Sequence, residues 1–506
     1  MEIGPFPVEE YIKTRTRKEM DMPNTDWACD RNLTMLMDYY ELTMSNGYFI
    51  NGIGDRIAVF DMFFRKIPED AGFAIFAGLE QLVCYLSHLS FSKDDIEFLR
   101  GKNIFDERFL DYLRNFRFEC DVWSMREGTP MFPGEPIVIV RGPLIQTQLV
   151  ETMLLLSINH QSLIATKANR IVRAAMGRPV MEFGSRRAQG YDAAVFGARA
   201  AYIGGCTSTA CALLERDYGV PVTGTMAHSW VQLFDSEYEA FKSYAESYPE
   251  SCTLLVDTYS TLRSGLPNAI RVFDTVLVPK GYRPSGIRID SGDIAYLSKR
   301  AREILDEAGY PDVKIIASNS LDESIIRDLL IQGAMVDSFG VGEKLITSKA
   351  DPVFGGVYKL AAVWDGKTYI PKIKLSESVE KITTPAFKKA WRIFSPESGE
   401  AIADYITCHD EIVKKGDPLV LFDPDAIWKK RTVKHFDCEN LLVQVFRGGE
   451  LVYELPGLPE IQAYCKTQIG RLWDEVKRFE NPHQYYVDLS HKLWQIKQDL
   501  LMRQTV

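Results

Sequence analysis

Short apolar runs alternate with amphipathic stretches through the middle of the chain. PVMEFG (179–184) is followed by the helical pattern YDAAVFGARAAYI and then by a second, STACALLERDYG. PVTGTMA (221–227) precedes HSWVQLFDSEYEAFKSYA, CTLLVDTYS (252–260) precedes NAIRVFDTVL, and GIRIDSGD (286–293) precedes IAYLSKRAREILDEAG. VKIIASNS (313–320) precedes DESIIRDLLIQG, and MVDSFGVGE (335–343) closes the series. Ile294, Leu297, Ala301, Ile304, Leu305 and Ala308 fall on one helical face, as a helix covering a sheet requires. Six strand-like runs, mostly followed by helices, predict parallel pairing of buried strands. An open doubly wound sheet and a closed barrel both satisfy that pattern. The first strand–turn lacks GxGxxG, which lowers the dinucleotide-binding option and leaves an irregular (β/α) barrel as the expectation.

The flanks read differently. Residues 1 to about 30 are polar and charged, an expected loose arm. From Leu33 to Gly142 helical and strand-like stretches interleave: DERFLDYLRNF (106–116) predicts a helix, and PIVIVRG (136–142) a β-run. A long amphipathic stretch from Ile145 to Met176 stops at Gly177, a helix C-terminus signal. Beyond Gly355, GGVYKLAAVWDGKTYIPKIKL places Asp365-Gly366 between two alternating runs, a hairpin pattern. The tail mixes short strands with a terminal helix. The expected division is an N-terminal α+β segment (1–142), an α/β barrel (143–360) and a C-terminal segment (361–506) that packs with the first.

Composition narrows the class. The chain has 506 residues, enough for two or three domains, with 46% hydrophobic and 25% charged residues, as in globular proteins. Mean hydropathy is -0.13, and no apolar run approaches the ~20 residues of a membrane span. Glu2, Glu9 and Glu10 do not suit a secretory signal, so a cytoplasmic location is expected. The net charge of -10 argues against a nucleic-acid or anionic-membrane partner. An anionic ligand therefore needs a local basic pocket. Nine cysteines without a CxxC pair imply neither a disulfide frame nor a zinc site.

Candidate chemistry collects at the strand ends. Ser185-Arg186-Arg187, Thr225 with His228, Asp257-Thr258-Tyr259, Arg288 with Asp290 and Asp293, Ser318-Asn319-Ser320, and Gly340-Val341-Gly342 each end one run. In a (β/α) barrel all would converge at the C-terminal mouth. Arg186 and Arg187 suit a carboxylate or phosphate clamp, since guanidinium forks bind such anions bidentately; the plain alternative is a solvated turn. A lone histidine is more often structural, but His228 opens a helix at a strand mouth beside Thr225. Arg288 and Asp290 place a cation and a carboxylate on one tight turn, which could bind ribose hydroxyls or a hydrated metal, or merely cap a helix through Asp290 or Ser291. Gly340 and Gly342 suit a phosphate nest, a weak signal by itself. Lys367-Thr368 is not a P-loop, because Ala361 stands where the first glycine is required.

Several motifs in one order resemble the nicotinate phosphoribosyltransferase family over nearly the whole chain. They are DYYELTMSNGYF (38–49), FFRKIPEDAGFAIFAGLEQL (63–82), EFGSRRAQG (182–190), GTMAHS (224–229), RIDSGD (288–293), SNSLDE (318–323) and FGVGEKLITSKADPVFGGVYKL (339–360). The resemblance implies a type II phosphoribosyltransferase: an α/β barrel beside an α+β domain built from N- and C-terminal segments, working as a homodimer. It implies nicotinate and 5-phosphoribosyl 1-diphosphate as substrates, ATP as co-substrate and Mg²⁺ as cofactor. His228 matches the histidine that ATP phosphorylates, and Tyr40 matches a ring-contacting tyrosine supplied by the neighbouring subunit. Thr225 and Arg288 match nicotinate contacts. Ser318, Asn319, Gly340 and Gly342 match the phosphoribosyl region, with Arg186 and Arg187 as further anion contacts and Asp290 in a catalytic role. Relatives often carry Thr after GxG, where this chain has Glu343-Lys344. A carboxylate repels phosphate, so Lys344 or backbone N–H groups could substitute there, or Glu343 could help hold Mg²⁺. A nicotinamide-using relative, a type I phosphoribosyltransferase and a non-catalytic homologue are the competing readings. Uncharged Cys206-Thr207-Ser208-Thr209 and the absence of a paired-acid loop weigh against the first two.

Overall fold

A computed structural model describes residues 31–378 and 381–503; the expected N-terminal arm lies outside them. The chain enters through helix α1 (Tyr39–Ile50), then strands β1 (Ile57–Phe64), β2 (Asp121–Met125) and β3 (Val138–Pro143). The 106–116 pattern forms a helix over Glu107–Arg114, capped by the Asp106 carboxylate accepting from Arg108 N–H at 2.8 Å. The long amphipathic stretch is broken once. Leu144–Gln148 forms a short helix, and α2 runs over Glu151–Ala174, ending before Gly177 at φ +85.

The regular section follows: β4 (Val180–Glu182), α3 (Tyr191–Ile203), β5 (Ser208–Thr209), α4 (His228–Leu233), β6 (Thr253–Leu255), β7 (Gly286–Ile289), α5 (Ile294–Glu307), β8 (Lys314–Ala317), α6 (Glu323–Ile331), β9 (Ser338–Val341) and α7 (Glu343–Ile346). The strands form one six-stranded sheet in the order β5-β4-β9-β8-β7-β6. Every pairing is parallel, with Val180 opposite Phe339, Ala317 opposite Phe339 and Ile315 opposite Ile287. Ile287, Ile289, Ile315, Phe339 and Val180 are fully buried, each contributing about 1.5–3 kcal/mol of apolar burial. That is why these strands read as continuous apolar runs.

Two expectations needed correction here. PVTGTMA is not a strand; Val222 alone bridges Thr209, in parallel. Gly224 and the polar Thr223 and Thr225 leave too little apolar surface to hold a buried strand. Ser208–Thr209, expected at the start of a helix, is the sixth strand, and the helix begins at Ala212. The sheet's ladder ends at β5 and β6, so the described pairings make a six-stranded parallel sheet without a closing hydrogen-bonded seam.

The chain then forms β10 (Gly356–Trp364), β11 (Tyr369–Pro371), β12 (Lys388–Phe394), β13 (Ala401–Cys408), β14 (Asp437–Asn440), β15 (Leu442–Arg447), β16 (Glu450–Leu451) and β17 (Val487–Leu489), before a final helix over His491–Arg503. The β10–β11 hairpin turns at Asp365-Gly366 as its pattern predicts. Gly366 takes φ +99, and the Asp365 carboxylate accepts from the N–H groups of Lys367 and Thr368, each at 2.8 Å. A seven-stranded sheet of order β11-β10-β1-β3-β2-β15-β16 interleaves strands from both ends of the chain. A four-stranded sheet, β14-β12-β13-β17, lies further on. The barrel boundary expected at 360 falls inside β10, which pairs with β1. Among the described residues no helix is long and apolar enough to cross a membrane. Among the described residues seven cysteines carry free thiols.

Candidate active site

Successive side chains on a strand point to opposite faces, so burial of Ile287 and Ile289 turns Arg288 to the other side of β7. There it organises the ends of several strands. Its Nε donates to Ser318 Oγ at 2.8 Å, Nη1 to Thr225 Oγ1 at 3.1 Å and Nη2 to Asp290 Oδ1 at 3.0 Å. Its guanidinium carbon lies 5.8 Å from the centroid of the Phe183 ring, at the end of β4. Guanidinium has five N–H donors, and these bonds use one on each nitrogen. One remains on Nη1 and one on Nη2, a pair suited to the two oxygens of a carboxylate.

Asp290 is the second hub. Its Oδ1 also accepts from Ser318 Oγ, and its Oδ2 lies 3.6 Å from His228 Nε2. Burial alone would push the Asp290 carboxyl up, but the hydrogen bond from Ser318 and the Arg288 charge hold it below the usual carboxylate range. His228 opens α4, and its Nδ1 is 3.1 Å from Thr258 Oγ1, just past β6. Nε2 makes no hydrogen bond among the described residues and faces Asp290 Oδ2 at 3.6 Å. Asp257 accepts from Asp290 N–H at 3.0 Å and from Ser291 Oγ at 2.6 Å through Oδ2, while its Oδ1 is buried without a partner among the described residues. The helix cap proposed for Asp290 or Ser291 belongs instead to Asp293, which accepts from Tyr296 N–H at 3.0 Å. Asp290 is therefore free for the site.

The remaining candidates are placed less uniformly. Ser318 is buried, and its hydroxyl is engaged by both Arg288 and Asp290. Asn319 sits exposed in the left-handed region at φ +87, its Oδ1 accepting from Ser320 N–H at 2.9 Å. Gly340 lies in β9 and Gly342 just follows it, yet a Cβ on Gly340 would come within 2.5 Å of the Phe183 ring. Its missing side chain thus has a packing reason independent of any anion. Arg186 and Arg187 lie exposed on the turn Ser185–Arg187, with Arg187 Nε 3.9 Å from Glu343 Oε2. Tyr40 does not join this cluster. It lines a separate cavity of 580 Å³ with Met44, Tyr48, Arg56, Glu151 and Lys359, where burial and Glu151 push its hydroxyl pKa well up.

Sequence reasoning left Phe183 and Glu182 out of the candidate set. Glu182 is a fully buried carboxylate ending β4; Thr209 Oγ1 donates to it at 2.7 Å, and Gly184 N–H also donates, which shapes the turn toward Arg186. Its signal was available, a carboxylate within the apolar run VMEFG. Among the described residues no group of three His, Cys, Asp or Glu is placed to hold a metal. Mg²⁺ keeps several waters and takes one or two carboxylates alongside substrate phosphates. The orphaned Asp257 oxygen beside Asp290 fits that need, not a cage built wholly of protein ligands.

Comparison with known proteins gives the family. Residues 35–159 match the nicotinate phosphoribosyltransferase (NAPRTase) N-terminal domain, 179–403 the NAPRTase family and 387–497 the NAPRTase C-terminal domain. The chain is 43% identical over 470 residues to the nicotinate phosphoribosyltransferase of Bacillus subtilis (strain 168), covering 92% of this chain and 95% of that one. It is 33% identical over 516 residues to the Homo sapiens nicotinate phosphoribosyltransferase, covering 91% and 95%. The crystal structure of human nicotinic acid phosphoribosyltransferase superposes with a TM-score of 0.82 at 31% identity, covering 92% of this chain and 99% of that one. A Pyrococcus furiosus structure titled nicotinate-nucleotide pyrophosphorylase shares the fold, with a TM-score of 0.67 at 22% identity, covering 91% and 98%. With three family models matching between residues 35 and 497 and a relative 43% identical over 92% of its length, the chain belongs to the nicotinate phosphoribosyltransferase family.

Proposed function

We infer that the chain transfers the phosphoribosyl group of 5-phosphoribosyl 1-diphosphate to nicotinate, giving nicotinate mononucleotide and diphosphate in pyridine nucleotide salvage. The observation that carries the reading is Arg288, held by Ser318, Thr225 and Asp290 with one donor left on each terminal nitrogen. Nicotinate's carboxylate takes those two donors, and its ring lies along Phe183, 5.8 Å from the same guanidinium. Nicotinamide offers an amide NH₂ where an acceptor is needed, so the pair disfavours it.

The ring nitrogen of nicotinate is already nucleophilic, so the chain's work is mainly orientation against ribosyl C1. The C1–O bond to diphosphate breaks as the C1–N bond forms, and the electron pair leaves with diphosphate. Asp290, kept ionised by its neighbours, offers negative charge to the developing ribosyl cation. The turns carrying Ser318–Asn319 and Gly340–Gly342 hold the phosphoribosyl end, and Arg186 and Arg187 supply positive charge from the exposed Ser185–Arg187 turn. Asp257 and Asp290 would hold Mg²⁺, which neutralises diphosphate charge when bound.

ATP coupling is part of the reading. His228 accepts the γ-phosphoryl group at Nε2, because Nδ1 is held by Thr258; the P–O bond to ADP breaks as the N–P bond forms. Exposed Leu36, Tyr39, Tyr40, Met44 and Ile50 on and beside α1 favour a homodimer that brings Tyr40 to the partner's site. The segment 221–228 bridges β5 through Val222 and reaches Thr258 beyond β6 through His228, which favours an incomplete (β/α) barrel closed by that segment. The interleaved seven-stranded sheet favours a second domain built from both chain ends. A cytoplasmic location completes the reading. Diphosphate release with nicotinate and then nicotinamide, each with and without ATP, tests it: release must depend on nicotinate and rise with ATP, and equal release with nicotinamide would refute the Arg288 assignment.

A further inference from the structure

The turns after β8 and β9 face a spacing problem. The two strands pair last through Ala317 and Phe339, and no ladder bond continues beyond. Among the described residues, one side-chain link crosses between the turns: Lys344 Nζ donates to Asp322 Oδ2 at 2.5 Å, with both side chains three-quarters or more buried. Asp322 is itself fixed, since its Oδ1 accepts from Ile325 N–H at 2.9 Å as the N-cap of α6. The next residue, Glu323, is buried and held at 3.0 Å by Lys167 Nζ and by Arg170 Nε, both from α2. Lys167 also binds Glu69 at 2.7 Å, so the turn after β8 is anchored to two further parts of the fold. The turn after β9 reaches that anchor through Lys344. Its neighbour Glu343 points elsewhere, toward Lys349 Nζ at 2.7 Å and Arg187 Nε at 3.9 Å.

We propose that Lys344 and Asp322 are positioning residues: their ion pair sets the separation of the turns at Ser318–Asn319 and Gly340–Gly342, and with it affinity for the phosphoribosyl substrate. This rests on reading those turns as the phosphoribosyl site. Under this proposal Lys344 acts through Asp322, whose carboxylate holds its ammonium, and not as the phosphate ligand that replaces the threonine of relatives. A rigid spacing matters because an anion bridging two turns loses contacts to both when either drifts by a fraction of an ångström.

The test compares Lys344→Met, Asp322→Asn, the double variant, Lys344→Arg and Asn319→Ala. Asn keeps the helix cap at Asp322 while removing the charge. KM for 5-phosphoribosyl 1-diphosphate is measured at saturating nicotinate, KM for nicotinate at saturating co-substrate, and Tm for every variant. Both single variants should raise the first KM on the order of tenfold and leave the second within about twofold. The double variant should be no worse than either single, and Arg should restore most of the loss. A rise in Lys344→Met with none in Asp322→Asn means that Lys344 contacts phosphate directly, and overturns the proposal. A lower Tm with unchanged KM makes the pair merely structural and overturns it too. Asn319→Ala separates the two layers. Its KM rising while the clamp variants stay normal sinks only the clamp; unchanged KM in all variants removes the phosphoribosyl assignment as well.

Discussion

Arg288→Lys asks whether the guanidinium's shape, not its charge, selects nicotinate. In the native site three nitrogens serve three partners, Ser318, Thr225 and Asp290, at 2.8, 3.1 and 3.0 Å. A lysine ammonium has three donors on one atom and cannot span those partners while presenting two parallel N–H groups to a carboxylate. The substitution keeps the positive charge beside Asp290 and removes at least one charge-assisted hydrogen bond to substrate, about 1.5–3 kcal/mol. At about 1.4 kcal/mol per decade, nicotinate kcat/KM should fall by roughly 10–100-fold. The effect should sit in KM for nicotinate if binding is uniform, with KM for 5-phosphoribosyl 1-diphosphate much less affected. Discrimination against nicotinamide should shrink in the same variant, because the carboxylate-specific pair is gone. Steady-state diphosphate release with each base, on protein whose Tm matches wild type, decides it. Unchanged nicotinate kinetics and unchanged selectivity in a folded Arg288→Lys variant would refute the assignment.

His228→Asn should abolish acid-labile, base-stable phosphate labelling from ATP and the associated ATPase, while a slower ATP-independent transfer survives. Persistent labelling of the folded variant would exclude His228 as the acceptor. Gly340→Ala places a Cβ 2.5 Å from the Phe183 ring, so it should lower stability by about 1–3 kcal/mol and raise nicotinate KM as the ring shifts; a melting scan with kinetics checks both. Glu41, fully buried beside Tyr40, has its pKa pushed by burial from 4.5 up to about 7. A raised carboxyl pKa stabilises the fold below the unfolded value and that contribution is lost as pH rises through about 7, on the order of 3 kcal/mol. Glu41→Gln should therefore gain stability relative to wild type at pH 8.5 but not at pH 4.5, and a pH-independent difference would contradict this.

The strands were legible because burial on both faces writes them as apolar runs. Ile287, Ile289 and Ile315 are fully buried, and their runs begin within one residue of the observed strands, although the polar ends of both runs lie beyond them. PVTGTMA misled for a related reason: its valine and methionine resemble such a run, but Gly224 and two threonines mark a segment held by side chains. Thr225 and His228 each find a site partner, Arg288 and Thr258. Ser208–Thr209 escaped notice because a two-residue strand has no periodicity to detect. The sheets that join both chain ends could not be read from local pattern, since β1 (57–64) pairs with β10 (356–364) across the whole of the intervening parallel-sheet section.

The site was partly legible for a different reason. Strand ends concentrate polar groups that a buried sheet cannot house, so Arg288, Asp290, Thr225 and His228 stood out, and the structure brings these together. What stayed hidden is the support beneath them. Phe183 looks like one more core aromatic until the guanidinium is found against it. Asp322 and Lys344 are ordinary surface types on amphipathic helices, 22 residues apart, and only the pairing of β8 with β9 makes them neighbours. Charge identity is local in sequence, whereas charge partnership is set by topology. A chain of net charge -10 can therefore carry an anion site, because the fold assigns most basic groups in this region to acidic partners and leaves Arg288 with donors to spare.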